Sequence, residues 1–430
     1  MTAERLPPAH RLRRELNDEV HARPPEALTA PMRLSYLALL CDADQREASW
    51  RAVCDLAARH ALAPPAAGAV HVRLDLGGFR LTWERHSEFV RYTVTVAGAG
   101  PDPFAPPALS AVPADWLAAL PGELVVAAHV ALLAEAGEPS APAAIAHTLF
   151  AGNLLIGAMI SDGAATGYTD FRIQPDGFSR ILVRDRTTAP WQAGRIVQRL
   201  LEIDTYRVLA LLALPLARAL APVLSEQEQE LARITAALVQ AGEADEAGLL
   251  DRLTRLAAAI DSRIADTRFR FGAAAAYDEL VQRRIRELRE ERLPGLQTFR
   301  EFTERRLAPA MNTCRSVAAR QLSLSEQVAR ATQLLSTRVD VTRERQTQAL
   351  LAQMNRRVKL QLRLQSTVEG LSVAAITYYV VNLVGHLAEG GRMLGLPVDP
   401  PLAMAAAIPV VAGLMALGVR RIHHLVAHSE

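Results

Sequence analysis

In the stretch WERHSEF, Glu84, His86 and Glu88 occupy every second position, and in NDEVHARP so do Glu19, His21 and Arg23. Alternate side chains of an extended chain leave on the same side. Each row therefore presents an imidazole flanked by charged groups. Two such rows brought together make a His/carboxylate set able to move protons or hold a divalent cation. Arg23, Arg85 and Arg91 open a second use, the capture of an anionic ligand by guanidinium groups. The same residues also make a polar sheet face with an N-terminal arm salt-bridged across it. That structural reading is preferred, and no catalytic residue is assigned.

Much chemistry is excluded outright. Nearly every basic residue is Arg, and Lys359 is the only lysine. It is followed by Leu360, so no GxxxxGK[ST] phosphate loop exists, and a Schiff-base enzyme would have to use Lys359 itself. HExxH, CxxC and GxSxG are absent. Cys41, Cys54 and Cys314 are scattered and odd in number, which fits a reducing compartment. A net charge of +2 gives no basic surface for nucleic acid. No cofactor is identified; a divalent cation is the one that the His/carboxylate rows admit.

The elements that must position these residues fall into four stretches of the 430-residue chain. Residues 1–190 read as a cytoplasmic α+β domain. MRLSYLALLC, AVHVRLDL, FRLTWERH, EFVRYTVTVAG, ELVVAAHVALL, NLLIGAMI, TDFRIQP and FSRILVRD have strand character, and Gly77-Gly78 and Pro175-Asp176-Gly177 are turns. ADQREASWRAVCDLAARHAL has helical spacing through Trp50, Val53, Leu56 and Ala57. From Trp191 strand signals vanish, and residues 191–365 read as helical. The apolar stretch Leu209–Leu224 carries Arg218 and two prolines and is expected to pack on the sheet domain. Ala310 to Gln365 contains neither Pro nor Gly. Leu324, Val328, Ala331, Leu335 and Val339 recur along it at steps of three and four, and Leu350, Met354, Val358 and Leu362 continue the stripe, as in a coiled coil. As one helix it is a stalk roughly 80 Å long, which must pack against other helices or copies of itself.

Residues 366–421 read as a transmembrane hairpin, with spans at about 368–388 and 402–419. Each approaches the roughly 20 apolar residues a membrane helix needs. Arg356, Arg357, Lys359 and Arg363 precede the first span and Arg420 and Arg421 follow the second, while the connecting loop holds Arg392 with Glu389 and Asp399. The positive-inside rule then places both termini in the cytoplasm, the N-terminus carrying no signal peptide and residues 422–430 forming a basic tail. Asn382 and His386 are the polar side chains to watch in the first span, since such groups face a partner helix or a pore, and Tyr378 and Tyr379 near mid-span suit a packed interface better than lipid.

This order of parts resembles the two-span CorA-type magnesium channels. MNRRVKLQLRLQSTVEGLSVAAITYYVVNLVG is similar in pattern to their stalk-to-pore region, but VGHLAEGG stands where that family has Gly-Met-Asn. The resemblance therefore implies topology rather than magnesium selectivity. LNDEVHARPPEAL, ERHSEFVRYT, YTDFRIQPDGFSRILVRD and AGRIVQRLLEIDTYRVLALLALPLAR look like segments of a bacterial family of predicted membrane-anchored proteins of unknown function. It implies an inner-membrane protein with a cytoplasmic domain. Two functions stay open: a homo-oligomeric protein of the lipid bilayer with an ion-transport or channel role, and a membrane-tethered enzyme or ligand sensor using the His/Glu/Arg cluster.

Overall fold

A computed structural model describes residues 9–21, 24–135, 141–240, 242 and 245–426. The chain divides into two compact units, residues 1–240 with 251–331, and residues 241–250 with 332–430.

The first unit holds a sheet of nine strands: β1 (Met32–Leu40), β2 (His71–Asp75), β3 (Arg80–Arg85), β4 (Phe89–Ala97), β5 (Glu123–Ala134), β6 (Ile156–Ile160), β7 (Ala165–Thr169), β8 (Ser179–Asp185) and β9 (Glu291–Arg292). Their order is β2-β3-β4-β1-β5-β8-β7-β6-β9. Among the nine described strands only β5 and β8 pair in parallel. The α+β class is as expected.

Two details differ. β9 is a two-residue strand far into the helical stretch, too short to leave a periodic signal, and it pairs with β6. TDFRIQP is not a strand after Thr169. The Asp170 carboxylate takes the Arg172 N–H (3.1 Å) and the Asn153 (2.9 Å) and Gln174 (2.7 Å) amides, so local side-chain bonds replace a ladder.

Helices cover both faces of the sheet. α1 (Arg13–His21) precedes β1, and α2 (Ala43–Arg59) begins at a capping box in which Asp42 takes the Gln45 N–H at 2.8 Å. Val53, Leu56 and Ala57 of α2 bury against Leu37, Leu39, Leu81, Trp83 and Tyr92, and Trp116 of α3 (Ala114–Ala118) joins them. α4 (Pro142–Leu149) adds Ile145 to a smaller cluster with Phe104 and Phe150. On the other face lies α5 (Pro190–Leu211), whose Thr205 hydroxyl is 2.8 Å from the Tyr36 hydroxyl. α6 (Ala213–Gln240) follows, and Leu209, Ala213, Ala217, Leu220 and Leu224 are buried at steps of three and four. That apolar stretch is a packed stripe, as its arginine and prolines suggested.

Gly194 of α5 is required by a close approach. A Cβ there would stand 1.6 Å from the Glu26 carbonyl oxygen, so the segment PPEAL can lie against α5 only over a bare Cα. α7 (Glu246–Leu288), α8 (Phe299–Arg306) and the start of α9 (Ala308–Met393) complete the unit.

In the second unit, α9 runs unbroken to Met393 and α10 (Pro400–Val426) follows a short turn. Val381, Gly385 and Ala388 form the buried edge of α9, and a Cβ on Gly385 would come within 2.6 Å of Met404 Sδ. Small residues let the two backbones approach. Among the described residues three helical stretches are long and apolar enough to cross a membrane: 190–240, 299–393 and 400–419.

Candidate functional site

The strand period sends neighbouring residues to opposite faces. Trp83 and Tyr92 join the α2 core, so Glu84 and Arg91, paired across β3 and β4, point toward α5. There the Arg91 guanidinium donates to Glu84 at 2.6 Å and to Glu202 of α5 at 3.3 Å. Glu202 also takes the Gln198 amide at 2.8 Å and a charged hydrogen bond from Arg284 of α7. Arg284 continues to Glu287 (2.9 Å), which is bonded by Arg199 (3.2 Å). Glu84, Arg91 and Glu202 are each about 95% buried. Three carboxylates alternate with three guanidinium groups, so the charges cancel and every buried ion is compensated.

His86 and Glu88 extend this cluster outward. The His86 ring stacks on Phe89, centroids 4.2 Å apart, with Nε2 3.8 Å from Glu84. Phe89 meets Tyr206 edge-on, and Tyr206 stacks on Tyr277 of α7 at 5.6 Å. Both Glu88 oxygens accept from Arg270 of α7, at 2.7 and 2.8 Å. Burial pulls the Arg91 pKa down, but Glu84 and Glu202 beside it outweigh that and hold it above the ordinary value. Desolvation raises Tyr36 and Tyr277 and pushes Tyr206 up to about 12. All these shifts move away from neutrality, the opposite of what an acid/base pair working near pH 7 needs.

Of the seven ligand-binding candidates, the structure brings Glu84, His86, Glu88 and Arg91 together. The companion row does not take the form expected. Glu19 and His21 lie in α1, a helix rather than an extended segment, where residues two apart do not share a face. Their side chains, and Arg23 entirely, lie outside the described residues. An arm does cross the sheet, but through Glu26, which pairs with Arg80 at 2.5 Å and accepts from Thr95. Arg91 already donates to two carboxylates, Glu84 and Glu202, so its charge is compensated within the protein. Among the described residues no group of three His, Cys, Asp or Glu could hold a metal ion.

Sequence reasoning missed Glu202, Arg284, Tyr206 and Tyr277. Glu202 had a signal, a carboxylate in the apolar run RLLEIDTY, and it is 4% exposed. Also missed were Ser35 and His129, opposite each other on β1 and β5, with Ser35 Oγ 2.9 Å from His129 Nδ1. Ser35 Oγ also accepts the Leu109 N–H, and the ring stacks on Phe178 at 4.0 Å. Burial lowers the His129 pKa to about 4, so the imidazole is neutral at pH 7. The pair is sealed inside the sheet core and braces it.

In the second unit, Tyr378 and Tyr379 are exposed, Asn382 is half-buried, and exposed His386 lies 3.5 Å from Glu389.

A family model described as "Protein of unknown function (DUF3422)" matches residues 8–426. No curated protein matches the chain, and no solved structure does.

Proposed function

We propose that this chain, which belongs to the DUF3422 family of proteins of unknown function, is an oligomeric membrane protein anchored by its C-terminal hairpin in a bacterial inner membrane. One observation carries the reading. From Pro400 to Val419 α10 is apolar on all sides, none of its most apolar stretch is buried, and Leu402, Val410, Leu414 and Leu417 are each more than half exposed. A helix apolar all round is covered by protein or by lipid, and α9 approaches this one only along the side of Met404. The Arg-rich flanks support an orientation with both termini in the cytoplasm.

Assembly is supported by Tyr378 and Tyr379, which are 66% and 72% exposed within a span where polar groups seek a neighbouring helix. The saturated ion cluster of the first unit supports a structural rather than a catalytic task for Glu84 and Arg91. Ion conduction along the axis of assembled hairpins is the activity this arrangement would serve.

The test is the subunit count of the detergent-purified protein, by light scattering corrected for bound detergent. Four or more subunits are expected, with ion flux in liposomes as the next measurement. A monomer or dimer would refute conduction and leave the hairpin as an anchor.

A further inference from the structure

Between α7 and α9, within the first unit, lies a cavity of about 540 Å³. Small-molecule sites span roughly 300–1,000 Å³. Its walls are apolar, with Ile264, Phe271 and Ala275 from α7 facing Met311, Ala318 and Leu322 from α9. Gly272 also lines it, and a Cβ there would meet nothing within 4 Å, so the space beside the helix backbone is open. The charged groups are fewer. Arg315 is 3.5 Å from Asp278, and those two compensate each other. Arg268 lines the same cavity, is exposed, and has no carboxylate partner among the described residues. One positive charge is left over beside an apolar chamber.

We infer that this cavity is a binding site for a small amphiphilic monoanion, its apolar body between α7 and α9 and its anionic head on Arg268. A neutral apolar ligand would make no use of the guanidinium, and a cation would be repelled by it. A purely ionic ligand would leave the apolar walls wet. An apolar chain ending in a carboxylate satisfies both. This inference is independent of the membrane reading, since all the lining residues belong to the first unit.

Octanoate is the probe. It is titrated calorimetrically into the full chain held in lipid nanodiscs, with empty nanodiscs as the blank. One saturable site per chain is expected. Arg268→Gln, at an exposed position, should weaken binding by about tenfold or more, the scale of one charge-assisted contact. Gly272→Leu places a side chain in the open space and should abolish binding. It also replaces a helix-interior glycine, so the variant should fold at least as well. Octylammonium should not bind. The inference is overturned if the heat matches empty nanodiscs, if octylammonium binds equally, or if both variants bind as the parent does. Loss of binding in Gly272→Leu alone would overturn the anionic class. A change in subunit count with no octanoate binding would make the cavity a contact between copies and refute the site.

Discussion

Arg91 illustrates how a charged side chain in this protein is committed. It is 5% exposed and held between Glu84 and Glu202, so Arg91→Leu takes the guanidinium from buried Glu84 and leaves Glu202 with Arg284 alone. Breaking a buried pair from one side costs about 3–5 kcal/mol, which should appear as a large drop in the midpoint of thermal unfolding. A midpoint within a degree of the parent would show that the network carries no stability. His129 makes stability depend on pH. Its folded-state pKa of about 4 lies below the ordinary 6.5 because it is buried. Between those values the unfolded chain binds a proton that the folded chain does not. Its contribution is therefore fully present above pH 6.5 and is lost as pH falls toward 4, at most about 3 kcal/mol in all. His129→Gln should flatten the slope of midpoint against pH in that window; equal slopes would exclude this origin. Gly194→Ala should be worse than its size suggests, because the new methyl would lie 1.6 Å from the Glu26 carbonyl oxygen. PPEAL must lift off α5 or α5 must shift, and a loss of about 2 kcal/mol or more is expected by the same midpoint measurement.

Among the elements, strand alternation was readable because β3 and β4 each bury one face against an apolar core, which forces period two on RLTWER and FVRYTVTVA. Glu84, His86 and Glu88 were singled out by that same period. Their partners on α5 and α7 were not, since Glu202 and Arg284 lie 111 and 193 residues from Arg91 and no local pattern joins them. The N-terminal row failed for a local reason. Arg13–His21 is helical, and alternation in a sequence carries meaning only where the backbone is extended. The α9–α10 hairpin yields a prediction of its own. With the turn outside and the preceding helix inside, Leu394→Cys in intact cells should react with a membrane-impermeant maleimide while Gln361→Cys should not. The reverse pattern would invert the topology.

At the scale of the whole molecule, the chain's own residues determined its class: strand-like runs before Trp191, mostly helices after it, and two apolar stretches near the end flanked by arginine. These are properties of hydropathy and local period, and they survive without knowing which elements meet. Tertiary structure alone decided the strand order, with β8 inserted in parallel beside β5, and the late β9 strand that joins β6. It also decided that Arg91 faces two carboxylates, and that α7 and α9 leave a cavity beside Gly272 and Arg268. The reason is physical. Burial and pairing of a charge depend on which distant segment covers it, and sequence spacing measures only the distance along the chain.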